Sequence, residues 1–194
     1  MNDVSRADLE ALTGQPIHRL ALYRRALTHR SRLRTAEDRE LQSNERLEFL
    51  GDALIDLIVS EALYERFPKE NEGELTRIRA KLVSGAALAQ YARRMDLGAY
   101  ILMSDNAART EGRNNPNILA DAFEALAGAL YLDLDYDAAA QFVHERALDA
   151  VALAEDPDSD QAASTSVMSP ALSESTYVTA RSVSGRPVST KRSP

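Results

Sequence analysis

Residues 44–56 read Asn44-Glu45-Arg46-Leu47-Glu48-Phe49-Leu50-Gly51-Asp52-Ala53-Leu54-Ile55-Asp56. With a period of 3.6 residues, Glu45, Glu48 and Asp52 fall within about 60° of one another around a helix. Leu47, Leu50, Leu54, Leu57 and Ile58 are expected on the opposite face, so the stretch reads as a core helix with a carboxylate stripe. Three close anions on a helix that is otherwise apolar repel one another and resist desolvation. Either their pKa values rise or a cation neutralises them, and a divalent metal is the simplest such cation.

Outward from this helix the pattern stays helical. Ser5 is placed to cap a short helix that stops at Gly14, and a second amphipathic run is expected over 17–28. The Asn44 helix should run to Phe67 and end at Pro68. Asn71 and Glu74 have the spacing of a capping box, and the periodicity of Leu75, Ile78, Leu82 and Val83 predicts one helix continuing toward Met95. After a turn near Gly98 and a short irregular or helical stretch, the Gly-Arg-Asn-Asn-Pro-Asn loop at 112–117 leads into a helix over 118–132. A last helix is expected after Asp135, through Ala138 to Ala154. No alternating β pattern with turn punctuation is present, so the predicted class is all-α.

The composition changes at Glu155. The final 40 residues hold 10 Ser, 4 Thr and 4 Pro, with Tyr177 their one aromatic, too little apolar surface to offset the entropy of ordering. The expected organisation is a helical domain over 5–154 and a disordered Ser/Thr/Pro-rich tail over 155–194.

The chain contains no cysteine, which excludes a disulfide framework and any thiolate metal site and fits a reducing compartment. No run approaches the roughly 18 apolar residues of a membrane helix, and Met1 to Glu10 has no apolar segment. The expectation is a soluble cytoplasmic protein with no membrane partner. A net charge of −7 argues against a nucleic-acid partner when taken as a sum. Its distribution argues otherwise. Arg19, Arg24, Arg25, Arg30, Arg32, Arg34 and Arg39 face only Glu37 and Asp38 between 19 and 39, and Arg77, Arg79 and Lys81 form a second cluster. These can meet phosphates or simply solvate helix faces.

A second carboxylate pair, Asp121 and Glu124, sits three residues apart among small and apolar residues on the 118–132 helix. Gly128 and the neighbouring alanines allow another helix to approach closely. Packing against the Asn44 helix would gather Glu48, Asp52, Asp121 and Glu124 into an all-oxygen site. Hard oxygen ligands select Mg²⁺, with Mn²⁺ as substitute, over zinc, and carboxylate-only sites of this kind suit phosphodiester hydrolysis. An acidic pair at helical spacing is more often a solvated face, so the apolar setting of Glu48 and Asp52 carries the argument. Glu72 and Glu74 near a helix start favour the dipole, Asp56 lies a further turn along, and His29 reads as a core or hydrogen-bonding histidine rather than a ligand. No Glu stands three residues before His18, His29 or His144, which disfavours a di-iron bundle.

The segment Asn44 to Asp52 resembles the signature of the ribonuclease III family. Three further stretches agree in order and separation: Ala-Leu-Thr-His-Arg-Ser at 26–31, Glu-Gly-Glu-Leu-Thr-Arg-Ile-Arg-Ala at 72–80 and Ile-Leu-Ala-Asp-Ala-Phe-Glu-Ala-Leu at 118–126. The resemblance implies an all-helical endonuclease domain that homodimerises. It implies Mg²⁺-dependent cutting of double-stranded RNA, leaving 5′-phosphate and 3′-hydroxyl ends with a short 3′ overhang, in the processing of ribosomal and other structured RNA precursors. Glu48, Asp52, Asp121 and Glu124 match the family's metal-binding residues, with Asp52 and Glu124 the catalytic positions. Glu45 and Glu72 match accessory acidic positions, and Phe49 matches the aromatic that inserts into the partner subunit.

Asn117 stands where many members of that family have Ser, a change that can still cap the helix and leaves the carboxylates untouched. Residues 155–194 are too short and too polar to form the double-stranded-RNA-binding domain that bacterial members carry. Two other readings compete: an all-α nucleotide pyrophosphohydrolase, and a non-catalytic RNA-binding relative. The first would hold its acidic pairs close together in the chain, whereas Asp52 and Asp121 are far apart. The second would be expected to have lost part of the acidic set, which is complete here.

Overall fold

The computed structural model describes residues 4–33, 35, 42–110 and 112–148. Arg34, Glu37, Asp38 and Arg39 of the basic run, the expected helix end at 149–154 and the tail at 155–194 lie outside the described residues.

Helix α1 (Arg6–Thr13) begins with the expected cap. The Ser5 hydroxyl accepts from the Asp8 N–H, the Asp8 carboxylate accepts from the Ser5 N–H, and Gly14 closes the helix at φ +72°, a left-handed conformation that favours glycine. Helix α2 (Leu20–Ala26) is shorter than the run expected over 17–28. The reason is tertiary. The Asp133 carboxylate accepts from the backbone N–H groups of His18 at 2.8 Å and Arg19 at 2.9 Å, so these donors are satisfied in a non-helical backbone. At the other end Thr28 leaves the helix to form a parallel bridge with Leu102, and a 3₁₀ turn follows at Arg30–Arg32.

Helix α3 (Glu45–Arg66) is the long helix predicted from the opening stretch. Helix α4 spans Glu72–Leu82 and has half of the predicted capping box: the Asn71 side chain accepts from the Glu74 N–H at 3.1 Å, but the Glu74 carboxylate is taken by Arg77. The single helix expected to continue toward Met95 is in fact two. Ser84 adopts extended backbone at φ −61° and ψ 145°, donates its hydroxyl to the Lys81 carbonyl and caps a new helix, α5 (Gly85–Arg94), by accepting from the Ala87 N–H. A serine competes with the helix through such local bonds, which apolar periodicity does not register.

A 3₁₀ turn at Leu97–Tyr100, the short helix α6 (Asp105–Arg109) and a 3₁₀ turn at Gly112–Asn114 lead to helix α7 (Pro116–Asp133). Here Asn115, not Asn117, is the cap: its side chain accepts from the Asn117 N–H at 2.9 Å, with Pro116 in the first turn. Helix α8 (Tyr136–Val143), capped by Asp135, passes into a π turn at His144–Leu148. The described residues contain helices, turns and no β-strand, as the all-α reading expects. No helix among them is long and apolar enough to cross a membrane.

Helix α7 is the axis of the core. Its residues are buried on almost every side, including Leu119, Phe123, Leu126 and Leu130, the pattern of a helix surrounded by others. It packs on α3, α5, α8 and α2. Phe123 stacks on Phe142 of α8 at 5.2 Å between ring centres and meets Tyr91 of α5 at 6.0 Å.

Candidate metal centre

Two contacts fix how α3 crosses α7. A Cβ built on Gly51 would lie 1.8 Å from the Glu124 carbonyl oxygen, and one built on Gly128 would lie 2.6 Å from the Leu47 carbonyl oxygen. Leu47 meets Gly128 and Gly51 meets Glu124, so the helices run antiparallel and touch backbone to backbone. Only glycine tolerates such an approach. The carboxylates one turn either side of the crossing are thereby brought together without any loop contributing to the site.

Glu48, Asp121 and Glu124 each offer an oxygen, and these atoms all lie within 4.8 Å of one another. All three side chains are half-buried. Burial first, and then the charges of Asp121, Glu45 and Asp52, push the Glu48 carboxyl up to about 7. Burial, followed by the charges of Asp52, Glu48, Asp121 and Asp56, pushes Glu124 up to about 8. Asp121 is raised as well, by burial and by Glu45, against a lowering contribution from its backbone N–H. Burial and mutual repulsion together make full ionisation of the three carboxyls unfavourable unless a cation joins them.

Asp52, expected among the ligands, is exposed and stands outside the group of three. Its charge is the largest influence on Glu124 after burial. Asp56, which spacing placed a turn too far along, contributes to the same field. Glu45 is held by two other groups: Arg30 Nη1 lies 3.1 Å from one carboxylate oxygen, and the Ser43 hydroxyl donates to the other at 3.1 Å. Glu72 is elsewhere. It is exposed at the start of α4, accepts from the Thr76 hydroxyl at 3.1 Å, and borders a groove with Tyr64, roughly 24 Å along α3 from Glu48 at 1.5 Å per residue.

His29 is a hydrogen-bonding residue as read from sequence, its Nδ1 lying 2.8 Å from the Ser31 hydroxyl. Burial, then Arg30, lowers its pKa. The basic clusters are partly engaged within the protein. Arg19 pairs with Asp133, Arg30 with Glu45, Arg77 with Glu74, and Arg79 donates to the Ser60 hydroxyl.

Phe49 is 81% exposed, and so are Leu57 at 57% and Tyr64 at 75%. Leu57 was expected on the buried face and is not there. Counted from Phe49 at about 100° per residue, Leu57 and Tyr64 lie within about 80° of it, a second apolar stripe that the same arithmetic contains. It ends in a groove of about 600 Å³ lined by Leu57, Leu63, Tyr64, Leu75 and Arg79 with Glu72 at its edge.

An all-carboxylate donor set fits a hard divalent cation better than zinc or copper. The residues present are therefore suited to the metal that the sequence resemblance implies.

The family model described as Ribonuclease-III-like matches residues 20–151. The chain is 48% identical over 134 residues to ribonuclease 3 of Chlorobium luteolum, an alignment covering 69% of this chain and 49% of that protein. It is 49% identical over 118 residues to ribonuclease 3 of Pseudomonas putida, covering 61% and 48%. The fold matches the nuclease domain of ribonuclease III from Campylobacter jejuni with a TM-score of 0.67 and 37% identity, over 73% of this chain and 92% of that one. A second structure of that domain, concerned with structural flexibility in a region involved in dimer formation, matches with a TM-score of 0.65 and 37% identity, over 71% of this chain and 95% of that one. The chain spans about half the length of the curated relatives it matches.

Proposed function

The chain belongs to the ribonuclease III family, and from that premise we propose that it is a Mg²⁺-dependent endoribonuclease acting on double-stranded RNA. The observation that carries this is the convergence of Glu48, Asp121 and Glu124 within 4.8 Å at the backbone contact of Gly51 with Glu124. Glu48, Asp52, Asp121 and Glu124 would hold the metal, with Mn²⁺ able to replace Mg²⁺. Asp52, exposed and outside the group of three, would be the fourth of these ligands. When bound, the ion polarises a phosphoryl oxygen, lowers the pKa of its water and stabilises the leaving group.

The protein's own residues do the rest. Glu124 and Asp52 face the reacting phosphodiester as the catalytic pair. Water gives up a proton as it attacks phosphorus, the bond to the 3′ oxygen breaks, and that oxygen takes up a proton in exchange. The products are a 5′-phosphate and a 3′-hydroxyl. Phe49 and the stripe it shares with Leu57 and Tyr64 form the contact of a homodimer, with Glu45 and Glu72 as accessory acidic groups. The enzyme would process ribosomal and other structured RNA precursors in the cytoplasm.

The test is incubation of the purified chain with long duplex RNA, single-stranded RNA and nucleoside triphosphates, with Mg²⁺ and with chelator. Metal-dependent cutting of the duplex alone is the expected result. Hydrolysis of triphosphates without duplex cleavage would make it a nucleotide pyrophosphohydrolase. Binding of duplex without turnover would make it a non-catalytic relative.

A further inference from the structure

Glu45 stands one turn before Glu48 on the same face of α3, close enough for its charge to act on both Glu48 and Asp121. Its carboxylate is nonetheless absent from the group of three. Both of its oxygens are occupied, one by Arg30 Nη1 at 3.1 Å and the other by the Ser43 hydroxyl at 3.1 Å.

The segment that presents Arg30 is itself pinned. The His29 N–H donates to the Leu102 carbonyl at 2.9 Å, the Asn44 N–H donates to the Thr28 carbonyl at 2.9 Å, and the Ser104 N–H donates to the Ser31 hydroxyl at 3.2 Å. Thr28 to Ser31 is thereby tied both to the start of α3 and to the 102–104 segment. Arg30 projects from a fixed backbone.

Resting on the metal-dependent reading above, we propose that Arg30 and Ser43 are positioning residues that hold Glu45 out of the metal centre and so set its preference for a small cation over a large one. Mg²⁺ takes six ligands at about 2.1 Å and keeps several waters, whereas Ca²⁺ takes 6–8 oxygens at about 2.3–2.6 Å. A released Glu45 adds up to two oxygens within one helical turn of Glu48. The added oxygens suit the larger ion, and they displace waters that Mg²⁺ retains.

The test is calorimetric titration of the full chain with Ca²⁺ and with Mg²⁺ in separate runs. In Arg30→Gln and in Ser43→Ala, the affinity ratio of Ca²⁺ to Mg²⁺ should rise by about fivefold, an ordinary coupling between contacting side chains. Arg30→Lys, which keeps a charge that can reach Glu45, should restore much of the ratio. Ser43→Ala changes no charge, so a shift there separates positioning from simple removal of a cation. In a Glu45→Gln background neither substitution should change the ratio. An unchanged ratio in both variants, or an equal change when Glu45 is already Gln, overturns the proposal. If the unaltered chain binds and cuts with Mg²⁺ while the ratio stays fixed in the variants, only this inference fails. If it binds neither ion, the metal-dependent reading fails and this inference falls with it.

Discussion

Gly51 of α3 lies directly against the main-chain carbonyl of Glu124 in α7, so close that a Cβ at residue 51 would sit 1.8 Å from that oxygen. The crossing does two things. It closes the core between the two longest helices, and it sets the separation of the carboxylates that each helix carries.

Gly51→Ala should therefore cost both stability and function. The intruding methyl meets backbone, not a flexible side-chain end, so the helices must part. Overpacking of this kind costs about 1–3 kcal/mol and occasionally more. The expected outcome is a lower Tm together with a loss of Mg²⁺ affinity larger than the stability change explains. Wild-type affinity in a destabilised variant would separate the crossing from the metal centre.

Glu124→Gln should remove cleavage while leaving the fold intact. Outer partners of metal ligands typically cost 10–100-fold when removed, so loss of a ligand itself should lower the cleavage rate by at least about 100-fold. Duplex binding measured in Ca²⁺ or at low salt should persist. Near-normal cleavage at saturating Mg²⁺ would end the assignment of Glu124.

The raised carboxyls also set a pH dependence. Between the ordinary glutamate value of 4.5 and the values of about 7 for Glu48 and about 8 for Glu124, the folded metal-free protein holds protons that the unfolded chain releases. Its stability must then fall as pH rises through this window and level off above it. Thermal unfolding in chelator from pH 5 to 9 should show that decline, and Glu124→Gln should flatten its upper part. Because the cation displaces the same protons, apparent Mg²⁺ affinity should rise over the same range. A metal-free Tm independent of pH would contradict the electrostatic description of the cluster.

Phe49→Ala should weaken self-association. A large exposed aromatic that fills a partner's groove behaves as a hot spot worth at least about 2 kcal/mol, which corresponds to roughly a 30-fold rise in the dimer Kd. Tyr64→Ala, at the far end of the same stripe, should act in the same direction. Sedimentation equilibrium over a concentration series measures both. An unchanged dimer constant in the two variants would move the interface elsewhere.

Much of the fold could be read along the chain, because helix period, caps and breakers act over a few residues. The Ser5 cap, the stop at Gly14, the extent of α3 and the start of α8 after Asp135 all follow from such local signals. The spacing of Glu45, Glu48 and Asp52, and of Asp121 and Glu124, is local in the same sense. Gly128 and its alanines already pointed to the close helix contact that gathers three of these groups.

What tertiary structure decided is which groups meet. Leu57 belongs to an exposed apolar stripe, and a helix with apolar residues on two faces does not itself say which one faces the core. Asp133 is matched with His18, Arg19 and Tyr23, 110 to 115 residues earlier in the chain, a pairing that shortens α2. Arg30 reaches Glu45 only because the Thr28 to Ser31 segment is tied to Leu102 and Ser104. Local periodicity records which face of each helix is apolar. It cannot record the crossing of α3 over α7, because that crossing depends on the joint packing of several helices and on the backbone contact that Gly51 and Gly128 permit.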